Sequence, residues 1–132
     1  MKTNKKLLFL LIAFTSFLAV IIFLRNNNLA NSFFMLFMDI PYYDKLGHFF
    51  LMGFLAFLAV VSVTPILPYS TSKSTLIVLS GVLLLIAAEE YSQIFVVTRT
   101  FSLADFICDF LGVSFFGSIG YSLINRVAQD KT

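Results

Sequence analysis

Two adjacent acids, Glu89 and Glu90, follow "TLIVLSGVLLLIAA", fourteen residues without a charge. A carboxylate placed at the middle of a bilayer costs about 2.5–3.5 kcal/mol on insertion scales, so something must offset that cost. Gln93 follows Glu90 by three residues, which puts the two on one helical face. Two further segments carry residues of the same kind. "DKLGH" (44–48) supplies Asp44, Lys45 and His48, and "RTFSLADFICD" (99–109) supplies Arg99, Asp105 and Asp109, the two aspartates four apart. An imidazole among carboxylates can carry a proton or act as acid and base, whereas Lys and Arg are the side chains that meet phosphate. A lone histidine without a His-x-x-x-His partner is a poor zinc motif, and one cysteine, Cys108, allows neither an internal disulfide nor a cysteine cage. The sequence therefore gives no expectation of a metal or other cofactor.

These residues sit in a very apolar chain. Of 132 residues, 59% are hydrophobic and 12% charged, with 17 Phe and no Trp. Soluble domains are about a quarter charged, so a mean hydropathy of +0.94 marks an integral membrane protein. The basic residues are scattered and the formal charge is only +2, which argues against a nucleic-acid partner. About 20 apolar residues make one helical crossing, and four runs qualify: 7–24, 46–64, 76–97 and 103–124. The expectation is a single all-α membrane domain over 1–132, a bundle of four transmembrane helices. The first run, behind Lys2, Lys5 and Lys6, is longer than a signal-peptide core and lacks a small-x-small site directly after it, so it reads as a retained span. Counting basic residues, Lys2, Lys5, Lys6, Lys73, Arg126 and Lys131 against Arg25, Lys45 and Arg99 places both termini in the cytoplasm of a multi-pass protein of a bacterial cytoplasmic membrane. The prolines of "PILPYSTSKST" (65–75) turn the chain on the inner side, and "FFMLFM" (33–38) is expected to lie in the outer interface beside Tyr42 and Tyr43.

On this topology the costly polar residues gather in the outer half. Glu90 lies about 10 Å below the outer end of the third span, Asp109 about 9 Å into the fourth, and His48 a turn into the second. The fourth span is rich in small residues (Cys108, Gly112, Ser114, Gly117, Ser118, Gly120) and so is able to approach its neighbours closely, whereas the first, with only Thr15 and Ser16, reads as peripheral. Near the outer mouth, five acids (Asp44, Glu89, Glu90, Asp105, Asp109) oppose Lys45, Arg99 and His48, with Arg25 farther along the loop. They cannot all be ionised cheaply in low dielectric: either some hold protons or the site carries a cation or a cationic ligand group.

Each residue also has a plainer reading. Asp44 could cap the second span, Ser102 and Asp105 fit a capping box, and Lys45 could reach to the interface. Glu89, some 100° round the helix from Glu90, would reach another helix. Arg99 precedes a helix N-terminus, where a cation needs an acid or a phosphate to compensate the dipole. A hydrogen-bonded lock of Glu90, Gln93 and Arg99 is the structural alternative to function, but such contacts average only about 0.6 kcal/mol in membranes.

"DKLGHFFLMGFL" (44–55), "EYSQIF" (90–95) and "RTFSLADFICDFLG" (99–112) together resemble the VanZ-like membrane proteins, over about residues 44–120. The resemblance assigns Asp44, Lys45, His48, Glu90, Gln93, Arg99, Ser102, Asp105 and Gly112 to family positions. Asp109 departs from it, standing where many members have Asn. It implies an association with low-level resistance to the glycopeptide teicoplanin and no defined reaction. Three functions are then open. The first is an outer-leaflet polar pocket for an anionic membrane lipid or lipid-linked cell-wall precursor headgroup. The second is an intramembrane enzyme acting on such a lipid through His48 or Glu90. The third is an ion pathway, which lacks ionisable residues in the inner half. They rank in that order, and the oligomeric state is left open.

Overall fold

The computed structural model describes residues 4–29, 35–36, 41–97 and 101–129, and no strand occurs among them. Four helices are long and apolar enough to cross a membrane. They are α1 (Lys5–Asn26), α2 (Tyr43–Val63), α3 (Thr71–Ser92) and α4 (Leu103–Gln129). The expected count and order hold, while several boundaries move, the third span among them ending as an α-helix at Ser92 and not at 97. α3 starts earlier than its apolar run because Ser70 caps a polar first turn, its hydroxyl accepting from the Lys73 amide at 3.4 Å. α4 continues past its apolar run through "INRVAQ", where no Gly or Pro interrupts it. Pro65 sits in a short 3₁₀ turn, Thr64–Ile66, that terminates α2. Most of "FFMLFM", together with Lys2 and Lys131, lies outside the described residues.

α1 is peripheral, as its composition requires. Leu18 is its one buried residue, and Thr15 and Ser16 turn their hydroxyls back onto the carbonyls of Leu11 and Ile12 at 2.8 and 2.9 Å. It leans on α2, where Phe14 meets Phe54 edge to face at 5.0 Å.

α2 and α4 are the most closely associated pair. They run parallel, since Lys45 meets Asp105 in their first turns and Val60 meets Gly120 farther along both. α3 runs antiparallel to them and brings Glu90 to the same end. The core between the three is Ala56, Val60, Val82, Ile86, Val113 and Ile124. Small residues set the α2–α4 spacing: a methyl group on Gly112 would collide with the carbonyl of Phe49, and one on Gly53 would stand 3.0 Å from the carbonyl of Gly112. Backbone cannot rotate aside as a side chain can, so the helices touch main chain to main chain there.

Gly112→Ala is expected to lower stability in detergent by about 1–3 kcal/mol, the usual cost of overpacking. Gly81→Ala serves as control, because a methyl there meets nothing within 4 Å. Thermal unfolding of both variants checks the contrast, and equal midpoints would contradict the backbone contact.

Candidate functional site

The first turns of α2 and α4 and the last turn of α3 meet at one end of the bundle. α2 presents Asp44, Lys45 and His48 at spacings that keep the last two on one face. α4 presents Asp105 and Asp109, one turn apart. α3 ends with Glu89 and Glu90, and Gln93 opens the 3₁₀ turn Gln93–Phe95 beyond them.

The contacts run from a partly exposed rim to a buried floor. Outermost, the Arg25 guanidinium holds Asp44 at 2.7 Å, both side chains about 30% exposed. Next, Lys45 Nζ donates to Asp105 Oδ1 at 3.0 Å, with the lysine 39% and the aspartate 11% exposed. His48, also 11% exposed, lies below: Nδ1 is 3.0 Å from Asp109 Oδ1, and Nε2 faces Asp105 Oδ2 at 3.8 Å. Glu90 and Asp109 form the floor, each 1% exposed. Glu90 Oε1 lies 4.0 Å from His48 Nδ1 and accepts from the Gln93 amide at 3.1 Å. That amide also donates to Glu89 Oε2, at 3.0 Å.

All the expected cluster residues within the described chain converge, but several take roles other than the plain readings. Asp44 does not cap α2. The cap position is Tyr42, in the left-handed region at φ 59° and without a side-chain cap, and Asp44 reaches Arg25 instead. Ser102 does make half of a capping box, its hydroxyl accepting from the Asp105 amide at 3.3 Å. The Asp105 carboxylate leaves that box and crosses to Lys45 and His48. Lys45 is thereby tied to an acid as well as reaching toward the surface. Glu89 stays on its own helix, held by the same Gln93 amide as Glu90. Arg99 lies outside the described residues.

Arg25 is the residue that sequence reasoning missed. By sequence position it lies too far along the loop, yet it closes the last turn of α1, where the helix dipole favours a cation, and the loop returns Asp44 to it. A basic residue ending one span and an acid opening the next was the available signal.

With Asp44 and Asp105 taken by Arg25 and Lys45, three acids share His48 and Gln93. One oxygen of each is buried without a hydrogen-bond partner among the described residues: Glu89 Oε1, Glu90 Oε2 and Asp109 Oδ2. Two groups have donor atoms all within 4.8 Å of one another, as metal coordination requires: His48, Glu90 and Asp109, and Asp44, His48 and Asp105. The site can hydrogen-bond a polar group entering past Lys45, and the His48–Asp109 pair can pass a proton. At the other end of the bundle a cavity of about 360 Å³ opens between Thr64, Pro65, Tyr69 and Ile124, with no charged residue in its lining.

His48→Ala should destabilise the fold by about 1–3 kcal/mol by removing the hydrogen-bond partner of the buried Asp109 carboxylate. In a double-mutant cycle, Asp109→Ala should cost less in the His48→Ala background, with a coupling of about 0.5–3 kcal/mol. Additive effects in the denaturation of the four proteins would contradict the contact.

No family model, curated protein or solved structure matches the chain.

Proposed function

We propose that the polar end of the bundle is a binding site, open to the outer leaflet of a bacterial cytoplasmic membrane, for the anionic headgroup of a lipid-linked envelope precursor. Both termini would then be cytoplasmic, as the distribution of basic residues favours. The observation that carries this reading is the graded cluster itself. A 39%-exposed Lys45 is anchored on Asp105 above acids that are 1% exposed, in a bundle whose other buried residues, among those described, carry no charge. Intramembrane ionisable residues in such a setting mark binding and relay sites by default. The Lys45 ammonium has three N–H donors and directs one to Asp105, which leaves others to meet a phosphate at the rim. Arg99, four residues before the start of α4, would be a second phosphate ligand. The acids below suit amines and hydroxyls of the headgroup.

The VanZ-like resemblance rests on the sequence motifs alone. On that resemblance, altered presentation of a cell-wall precursor would link the site to teicoplanin tolerance. A second reading, acid–base catalysis on the same lipid, draws on the 3.0 Å His48–Asp109 pair, an imidazole oriented by a carboxylate.

The test is binding of a polyprenyl-diphosphate-linked precursor to the purified protein in nanodiscs. Lys45→Gln should fold and lose at least tenfold in affinity, and Glu90→Gln, which keeps shape but cannot ionise, should also weaken binding. Wild-type affinity in both variants, or no binding by the parent protein, would overturn the reading.

A further inference from the structure

We propose that His48, Glu90 and Asp109 form a binding site for a divalent first-row transition metal ion, with Asp105 and Lys45 as its outer support. The inference goes beyond the lipid-binding reading and stands without it, because it concerns the floor of the cluster and not the rim.

Three observations carry it. The first is geometry. One imidazole nitrogen and two carboxylates, from three different helices, offer ligand atoms that all lie within 4.8 Å of one another. Ligands about 2.1 Å from a tetrahedral metal are about 3.4 Å apart. The separations from His48 Nδ1, 3.0 Å to Asp109 Oδ1 and 4.0 Å to Glu90 Oε1, bracket that value.

The second is the state of the acids. Glu90 and Asp109 are each 1% exposed, and each has a buried second oxygen, Oε2 and Oδ2, without a hydrogen-bond partner among the described residues. Carboxylates so buried are ordinarily fully hydrogen-bonded, paired or coordinating a metal. The two cations nearest the cluster in the described chain, Arg25 and Lys45, are already held by Asp44 and Asp105. A divalent ion would offset the two acids that no Lys or Arg among the described residues pairs with.

The third is the far side of the histidine. Nδ1 faces the proposed metal, and Nε2 faces Asp105 Oδ2 at 3.8 Å, while Lys45 holds the other oxygen of that aspartate at 3.0 Å. In metal centres the second nitrogen of a ligand histidine usually donates to a carboxylate, and Asp105 stands on that side of His48 at 3.8 Å, longer than a hydrogen bond. The donor set also narrows the ion. Imidazole with carboxylates suits Zn²⁺, Fe²⁺ or Mn²⁺, and the nitrogen disfavours Mg²⁺ and Ca²⁺, which prefer all-oxygen ligands. Three protein ligands leave at least one position for water or for an oxygen of a bound molecule.

The experiment uses the full-length protein, purified in detergent without added lipid, stripped with chelator and titrated with Zn²⁺ and, separately, Mg²⁺. Calorimetry and metal analysis after dialysis should show one Zn²⁺ per chain, bound at least 100-fold more tightly than Mg²⁺. His48→Ala, Glu90→Gln and Asp109→Asn should each lower Zn²⁺ affinity at least tenfold, and Asp44→Asn should leave it within about threefold, with helicity by circular dichroism unchanged. Should a ligand variant not fold, Co²⁺ titration of the parent protein replaces it: absorption in the visible with the intensity of a four- or five-coordinate nitrogen–oxygen site is expected. No stoichiometric Zn²⁺, cobalt spectra of the hexa-aquo ion only, or loss in Asp44→Asn with retention in Glu90→Gln would each overturn the proposal. Because lipid is absent throughout, failure here leaves the headgroup reading standing, and failure of precursor binding leaves the metal site standing.

Discussion

The close approach of α4 to α2 at Gly112 is the constraint on which the polar cluster depends. Without a Cβ, Gly112 lies against the carbonyl of Phe49, the residue next to His48, and Asp109 lies one turn before Gly112 on α4. Once these backbones touch, both the register and the distance of the two helices are set. The imidazole then has no choice but to meet the Asp109 carboxylate, and the same register carries Asp105 to Lys45 one turn outward. A larger residue at position 112 would part the helices at the level where a 3.0 Å contact has to form. Packing and site are thus one feature of the sequence, separated by three residues.

The parallel arrangement of α2 and α4 has an electrostatic consequence. Both N-termini, and so the positive ends of both helix dipoles, point at the end where Asp44, Asp105, Asp109 and Glu90 collect. Each dipole favours negative charge by about 0.3–1 kcal/mol and acts only over the first turn or so, which suits Asp44 and Asp105 better than the deeper Asp109. Arg25 and Lys45 complete the compensation for those two outer acids. The two deepest are left with one histidine and one glutamine amide. Replacing buried ion pairs by apolar side chains is often neutral or stabilising, so an arrangement of this kind is weak as a source of stability.

Much of this was legible in the sequence, for identifiable reasons. Four runs of uniform hydropathy specify four helices, and the alternation of direction brings Glu90, Asp109 and His48 to one level whatever the details of packing. Helical spacing paired Glu90 with Gln93 correctly. Local patterns were less reliable where long-range partners competed for the same atom. Asp44 looks like a cap until Arg25, 19 residues away, is brought to it, and Asp105 looks like a capping-box acid until Lys45 and His48 claim its carboxylate. Glu89 was expected to diverge from Glu90, but a side-chain amide has two N–H donors and the flexible glutamates both bend to it. The partners of Asp44 and Asp105 lie on other helices, where spacing within one element fixes nothing.

The central claim is that the buried cluster is kept for what it binds and not for the stability of the bundle. The most direct measurement is the unfolding free energy in detergent of a variant in which His48→Leu, Glu90→Met and Asp109→Val replace the floor by apolar side chains. The account predicts a helical protein at least as stable as the parent, because burial of the acids is then no longer opposed by desolvation. A loss of about 3 kcal/mol or more, of the size seen when a buried pair is broken, would contradict it and make the cluster a structural lock.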